Sequence, residues 1–361
     1  MRKFAGLIIC FFVTFYSGAQ VTQWRGPNRD GIFNETGLLK QWPENGPELI
    51  FEVEKIGKGW SSPVLADGMI YTTGMIDTLD YLSSISLDGT IKWQVSYGRS
   101  WNQSFPDTRS TATVDGDRIY VQSGTGRLVC IERASGMEIW AVDVDKEFEC
   151  EYHLWGNSET PLVVDDMVIC TPGGKKTSVV AFNKMTGELV WQSQSMGGQR
   201  AYASATVCEY GNFRYILAVI GTHLLALNPE NGNIVWSYKY WDSQKWDQPG
   251  LIWTNTPVCS DGEIFLTMGY DYPAVMLKMD STGTFVSEKF IDHTFDNHHH
   301  GVILYDGYLY GSNWQDNKRG KWVCMDWNTG EIKYETEWDT KGALVMADGL
   351  LYAYNEKGNV G

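Results

Sequence analysis

A glycine followed four residues later by an aromatic residue returns at near-even steps along this chain. It appears as Gly89…Trp93, Gly136…Trp140, Gly187…Trp191 and Gly232…Trp236, then in weaker copies as Gly283…Ser287 and Gly330…Tyr334. The last position falls at 93, 140, 191, 236, 287 and 334, at steps of 45 to 51 residues. A period of that length means a stack of supersecondary units, because one such unit cannot bury its apolar face alone. Residues 158–194 show what the unit is. Apolar runs at 160–164, 167–171, 178–182 and 188–192 are separated by Asp165-Asp166, Pro172-Gly173-Gly174 and the turn at 183–187. Four short strands between such turns make an antiparallel meander.

The first-half turn also recurs, as Asp67-Gly68, Asp115-Gly116, Asp261-Gly262, Asp306-Gly307 and Asp348-Gly349. Four-stranded sheets repeated around an axis are the blades of a β-propeller, so the expected fold class is all-β. Each repeat Trp, expected near the end of an outer strand, then covers the gap between neighbouring blades. Six repeats are complete, and a seventh begins at Gly342 with two strands. Residues 48–54 read as a lone outer strand that completes the last blade. The expected domain is a single propeller over 20–361.

Arg2 and Lys3, the apolar run 4–16 and the small residues Ser17-Gly18-Ala19 read as a secretory leader over 1–19. The mature chain is expected to be exported, periplasmic or extracellular, without a transmembrane segment. The formal charge of −15, from 44 acidic and 29 basic residues, excludes a nucleic-acid partner, which needs concentrated Lys and Arg. Without Cys10, six cysteines remain, at 130, 150, 170, 208, 259 and 324. Most sit inside apolar strand-like runs, so buried thiols are expected rather than a disulfide framework. The series Asp143, Asp145, Glu147, Glu149, Glu151 alternates like a solvated strand edge.

The repeat Ala-Ser-Gly-x-x-x-Trp at 134–140 resembles that of pyrroloquinoline-quinone-type propellers. These include the quinoprotein alcohol dehydrogenases and the propeller subunit of the outer-membrane barrel-assembly machinery. The runs Trp24-Arg25-Gly26-Pro27-Asn28-Arg29-Asp30-Gly31, Val168-Ile169-Cys170-Thr171-Pro172-Gly173-Gly174 and Asn297-His298-His299-His300-Gly301 are similar to exported quinoprotein-like propellers. The resemblance spans residues 24–361. It implies seven or eight blades, with eight favoured and the last part lying beyond Gly361. The family holds both enzymes and non-catalytic scaffolds.

Inner strands surround a central channel, and ligands sit at its mouth. Aligned on the Asp-Gly turn, the inner strands begin at Ser61, Arg109, Glu159, Ser204, Asn255, His300 and Gly342, with Trp60, Thr108, Ser158, Thr254 and His299 beside them. Arg109, Glu159, Asn255, His300 and Trp60 are the candidate ligand-binding residues, for a protein partner or a polar small molecule. On an extended strand His298 and His300 share a face, which makes them the candidate metal pair. An aromatic group in the connector after the fourth repeat, Tyr238, Tyr240, Trp241, Trp246 and Trp253, reads as packing on the propeller face. The favoured function is a non-catalytic exported scaffold in cell-envelope assembly, with no cofactor. The alternative implied by the resemblance is an alcohol dehydrogenase using pyrroloquinoline quinone and Ca²⁺. Glu159 and Asn255 would then hold calcium, Arg109 would face the quinone and Asp296 would act as base.

Overall fold

The computed structural model describes residues 22–150, 154–240 and 252–361. The leader read at 1–19 lies outside them, as do Cys10, His153, Trp241 and Trp246. Six four-stranded sheets succeed one another, each with its strands side by side in chain order. Blade one runs Val64–Ala66, Met69–Ile76, Leu79–Ser86 and Ile91–Arg99. Blades two to six open with inner strands Thr113–Asp115, Leu162–Val164, Thr206–Tyr210, Val258–Ser260 and Ile303–Tyr305. The seventh sheet pairs Gly342–Ala347 with Leu350–Asn355 and adds Ile32–Phe33 in parallel on its inner side. The chain is a β-propeller. The Asp-Gly turns suit this, since Asp67, Gly68, Asp261, Gly262, Asp306, Gly307, Asp348 and Gly349 all have positive φ. Two successive residues of that kind form the tight hairpin turn whose twist matches the flanking strands.

The core is divided as the repeat requires. Each hydrophobic cluster joins two successive blades: Leu82 with Val121, Cys130 with Val168, Ala181 with Leu225, Leu224 with Leu277, Phe265 with Leu309, and Ile303 with Leu344. No blade therefore buries its face without its neighbour. The repeat Trp residues close these seams from outside. The indole Nε1 groups of Trp93, Trp140 and Trp191 donate to Arg133 O, Lys184 O and Pro229 O of the next repeat, at 2.9–3.1 Å. The rings cover Gly136, Gly187 and Gly232, where a Cβ would lie within 2.8 Å of ring atoms. Only glycine allows that approach. Trp93 sits nearer the start of its outer strand than its end, whereas Trp191 is next to last in its own.

In all six four-stranded blades the outer strand bulges immediately before this aromatic position. The bulge corrects the register read for the fifth repeat. There Met276 pairs with Phe290 and Leu277 with Glu288, so Lys289 is the extra residue and Phe290 takes the Trp position. Its ring covers Gly330. Ser287 lies three residues too early to do so.

Residues 48–54 form no strand. No strand runs beside them among the described residues to supply ladder hydrogen bonds, yet Phe51 lies on Gly89 much as Trp93 lies on Gly136. Of the acidic series, Glu151 lies outside the described residues, and beyond Asp143 the described part is not a strand edge. Val144–Glu147 is a helical turn that points Asp145 inward to Arg200. Tyr240 and Trp253 are buried against each other with ring centroids 4.6 Å apart, so these members of the aromatic group pack. Among the described residues no helix is long and apolar enough to cross a membrane.

Cys208 and Cys259 form a disulfide, with Cα atoms 5.7 Å apart, and this corrects the expectation of unpaired thiols. They stand on the inner strands of blades four and five, which run side by side. Cys130, Cys170 and Cys324 are buried free thiols, and Cys150 is half-buried and free. The bridge closes a loop with a sequence separation of 51. Its removal by Cys208→Ala/Cys259→Ala is expected to lower stability by about 2–4 kcal/mol in urea denaturation. An unchanged midpoint, with two further free thiols by mass spectrometry of the alkylated parent chain, would show that the pair is not bridged.

Candidate functional site

The connector from each outer strand to the next inner strand is irregular, and its main-chain and side-chain groups, with Ser312 of the second strand of blade six, clasp the following blade. Trp60 N donates to Thr108 O at 2.7 Å, Ser110 Oγ to Glu159 O at 2.8 Å, and Ser158 Oγ to Tyr202 O at 3.0 Å. Asn255 Nδ2 donates to Asn297 O and His298 O at 2.7 and 2.6 Å, and Ser312 Oγ to Gly342 O at 2.9 Å. Much of the polar ring seen in the sequence is thus an inter-blade fastening that satisfies buried backbone carbonyls.

A second device crosses the middle of the ring. Thr22 pairs with Val114 of blade two, Arg25 Nη2 donates to Val302 O of blade six at 2.6 Å, and Ile32 pairs with Met346 of blade seven. Between them Arg29 is buried. Its guanidinium donates to Gln23 Oε1 at 2.6 Å, and to Thr160 O, Pro161 O and Ala205 O at 3.1, 2.5 and 2.9 Å. Burial pushes its pKa down to about 9, opposed by the charge of Glu159. The run beginning Trp24-Arg25-Gly26 is therefore a channel plug, a role that the sequence alone did not reveal.

Above the plug lies a cavity of about 660 Å³ at the channel mouth. Trp24 lines it, and the connectors contribute Trp60, Phe105, Arg109, Trp155, Tyr202 and His299. Tyr270, Asn317 and Lys341 come from loops and a connector on the far side. Trp60 and Phe105 are 71% and 70% exposed, so two large aromatic faces meet solvent at the rim. Phe105, Trp155 and Tyr202 form a continuous aromatic wall, with centroids 6.1 and 5.6 Å apart. Tyr202 Oη accepts from Leu154 N and Trp155 N, which holds the wall in place. Arg109 anchors on Phe105 O and Asp107 O, and its half-burial lowers its pKa.

The sequence-expected residues divide around this cavity. Trp60 and Arg109 line it, whereas Glu159, Asn255 and His300 do not. Glu159 is fully buried, and its Oε2 accepts from Thr171 N at 2.9 Å. Burial raises its pKa, opposed chiefly by Arg200. Arg200 is paired at 2.7 Å with Asp145, so Glu159 belongs to a buried ion network. Asn255 is spent on its clasp, and its Oδ1 accepts from Gly301 N.

The histidines group differently from the expected metal pair, and residues 297–300 form no strand. His298 packs on Tyr270 with centroids 4.4 Å apart, and it is His299 and His300 that approach the same carboxylate, Glu356. Burial and the neighbouring imidazoles push the pKa of His298 down to about 2.

Asp296 is buried and does not line the cavity. Its oxygens accept from Trp314 N and Asp271 N at 3.2 and 3.1 Å, which organises two loops. Burial raises its pKa to about 7. The folded chain then keeps a proton that the unfolded chain loses near pH 4, so this contribution to stability is present below about pH 4 and lost as pH rises through about 7. Asp296→Asn is expected to remove a pH-dependent loss on the order of 1–3 kcal/mol between about pH 5 and pH 8, read from urea midpoints. An identical slope in parent and variant would show that Asp296 titrates normally.

A calcium–quinone pair requires several oxygen ligands, usually with carboxylates among them, facing the cavity. No carboxylate lines the cavity among the described residues, and Glu159, Asn255 and Asp296 are committed to buried partners. The described donor set does not fit that pair.

A family model described as outer membrane protein assembly factor BamB matches residues 80–333. The chain belongs to that family. BamB from Moraxella catarrhalis is similar in structure, with a TM-score of 0.56 over 83% of this chain and 86% of that one, at 15% identity. Quinohemoprotein alcohol dehydrogenase from Comamonas testosteroni gives a TM-score of 0.60 over 85% of this chain and 65% of that one, at 14% identity. These likenesses show the fold that BamB-family chains share with quinoprotein enzymes. A curated relative, quinohemoprotein alcohol dehydrogenase ADH-IIG from Pseudomonas putida, is 26% identical over 165 residues. That match covers 40% of this chain and 22% of the enzyme, so the chain spans about a fifth of that relative's length.

Proposed function

We propose that this protein is an exported, non-catalytic propeller scaffold in cell-envelope assembly, and that its channel mouth docks a protein partner. The observation that carries this reading is the character of the mouth. Exposed Trp60 and Phe105 stand beside Arg109, while the carboxylate and amide groups that a calcium–quinone site would use are tied into the protein interior. Aromatic and arginine side chains at a cavity rim are the residue types that anchor protein interfaces. The leader read at 1–19 and membership of the BamB family support export.

Photo-cross-linking in the native host tests the docking reading. A benzophenone amino acid at position 105 is expected to give a discrete adduct with an envelope protein, weakened at least about 10-fold by Trp60→Ala/Arg109→Ala. No adduct at position 105, or one insensitive to that double variant, would contradict docking at the mouth.

A further inference from the structure

Beside the cavity, reached through His299 in its lining, lies a group of metal-ligating atoms drawn from two blades. His299 and His300 end the connector that enters blade six, and Glu356 follows the last strand of the seventh sheet. His300 Nε2 lies 3.3 Å from Glu356 Oε1, and His299 Nε2 lies 3.8 Å from the same oxygen. The three ligand atoms fall within 4.8 Å of one another. Ligands about 2.1 Å from a tetrahedral ion stand roughly 3.4 Å apart, so small side-chain adjustments bring this set into coordination distance.

The surroundings favour an ion in three ways. Lys341 Nζ takes the other oxygen of Glu356 at 2.9 Å, and Glu356 N is held by Lys341 O and Thr340 Oγ1 at 3.1 Å. The carboxylate is thus fixed with Oε1 turned to the imidazoles. His299 Nδ1 lies 2.7 Å from His298 Nδ1, so His298 can accept a hydrogen bond from the Nδ1–H that His299 must carry when its Nε2 binds a metal. Such an outer partner is the usual companion of a ligating histidine. Finally, His299 is part-exposed and lines the cavity, which leaves a coordination position open towards it.

We propose that His299, His300 and Glu356 bind one divalent ion of the zinc class, with an open position facing the cavity. Two imidazoles and a carboxylate suit such an ion rather than calcium or magnesium, which prefer all-oxygen shells. Three protein ligands and an open position would let the ion hold an anionic oxygen of whatever occupies the mouth. The site rests on these three residues and does not depend on the docking reading.

The test uses the full chain without a histidine tag, stripped of metal and titrated with Zn²⁺ by calorimetry and with Co²⁺ by visible absorption. One equivalent should bind, and Co²⁺ should show the intense bands of a four-coordinate site. His299→Ala and Glu356→Gln should each weaken Zn²⁺ binding by at least about 10–100-fold, the effect already produced by losing an outer partner. Their metal-free melting curves provide the control for folding, and His299→Gln offers a second substitution at the part-exposed position. Absence of binding to the folded parent, or unchanged affinity in either folded variant, overturns the proposal.

Discussion

Arg200→Ala is expected to destabilise the folded chain by about 3–5 kcal/mol. Arg200 is buried, with Nη2 and Nη1 on the two oxygens of Asp145 at 2.7 and 3.1 Å and Nε on Thr171 O at 3.2 Å. Burial alone would lower its pKa, but Asp145 and Glu159 raise it above its ordinary value. Truncation leaves Asp145 and Glu159 buried without their main counter-charge, and uncompensated charge is what makes such losses large. Urea denaturation of parent and variant reads the loss directly. Asp145→Asn/Arg200→Met should recover only part of it, because it neutralises Asp145 but leaves Glu159 buried without the Arg200 charge. A loss under about 1 kcal/mol for Arg200→Ala would mean that water replaces the guanidinium and the network is open to solvent.

Arg29→Ala should cost a similar amount, about 3–5 kcal/mol, through a different cause. Here one guanidinium serves three backbone carbonyls of blades three and four and the amide oxygen of Gln23. Removing it strands buried acceptors on two blades at once. Arg29→Lys should recover little, since an ammonium cannot present a planar fork to acceptors spread that widely. Hydrogen exchange supplies a second readout. The amides of Thr22 and Val114, which bond each other's carbonyls, should lose protection in the variant if the plug is released. Unchanged protection at Thr22 and Val114 would show that the plug is held without Arg29.

The spacing of Gly-x-x-x-Trp was enough to read the blades, their order and the packing job of the Trp residues. Every blade repeats one local solution, so the signal is redundant. It failed where a single blade departs from the rule. Three extra residues between Gly283 and the aromatic position, most of them within the outer strand of blade five, put Phe290, not Ser287, at the seam, and only strand register shows this.

The site was less legible for a related reason. Counting from the Asp-Gly turn finds the start of each inner strand but not where its side chain points, because the connectors are irregular. Phe105 and Asp107, for example, adopt positive φ. Trp60 and Arg109 reach the cavity, whereas Glu159 and Asn255 turn into clasps and ion pairs. Trp155, Tyr202, Tyr270 and Lys341 carried no periodic signal at all. The plug was visible only as a motif, since nothing in Trp24-Arg25-Gly26-Pro27-Asn28-Arg29 says which carbonyls Arg29 will meet. The disulfide had one usable trace. Cys208 and Cys259 are separated by 51 residues, one repeat length, which places both on adjacent inner strands.

Titration of the purified chain with pyrroloquinoline quinone and Ca²⁺ tests the central claim most directly, because the same fold serves binding scaffolds and quinone enzymes. With the buried roles of Glu159, Asn255 and Asp296, no saturable complex is expected at high micromolar quinone, and no alcohol-dependent dye reduction. A 1:1 complex that reduces dye when alcohol is added would contradict the scaffold reading and show that the channel mouth is an active site.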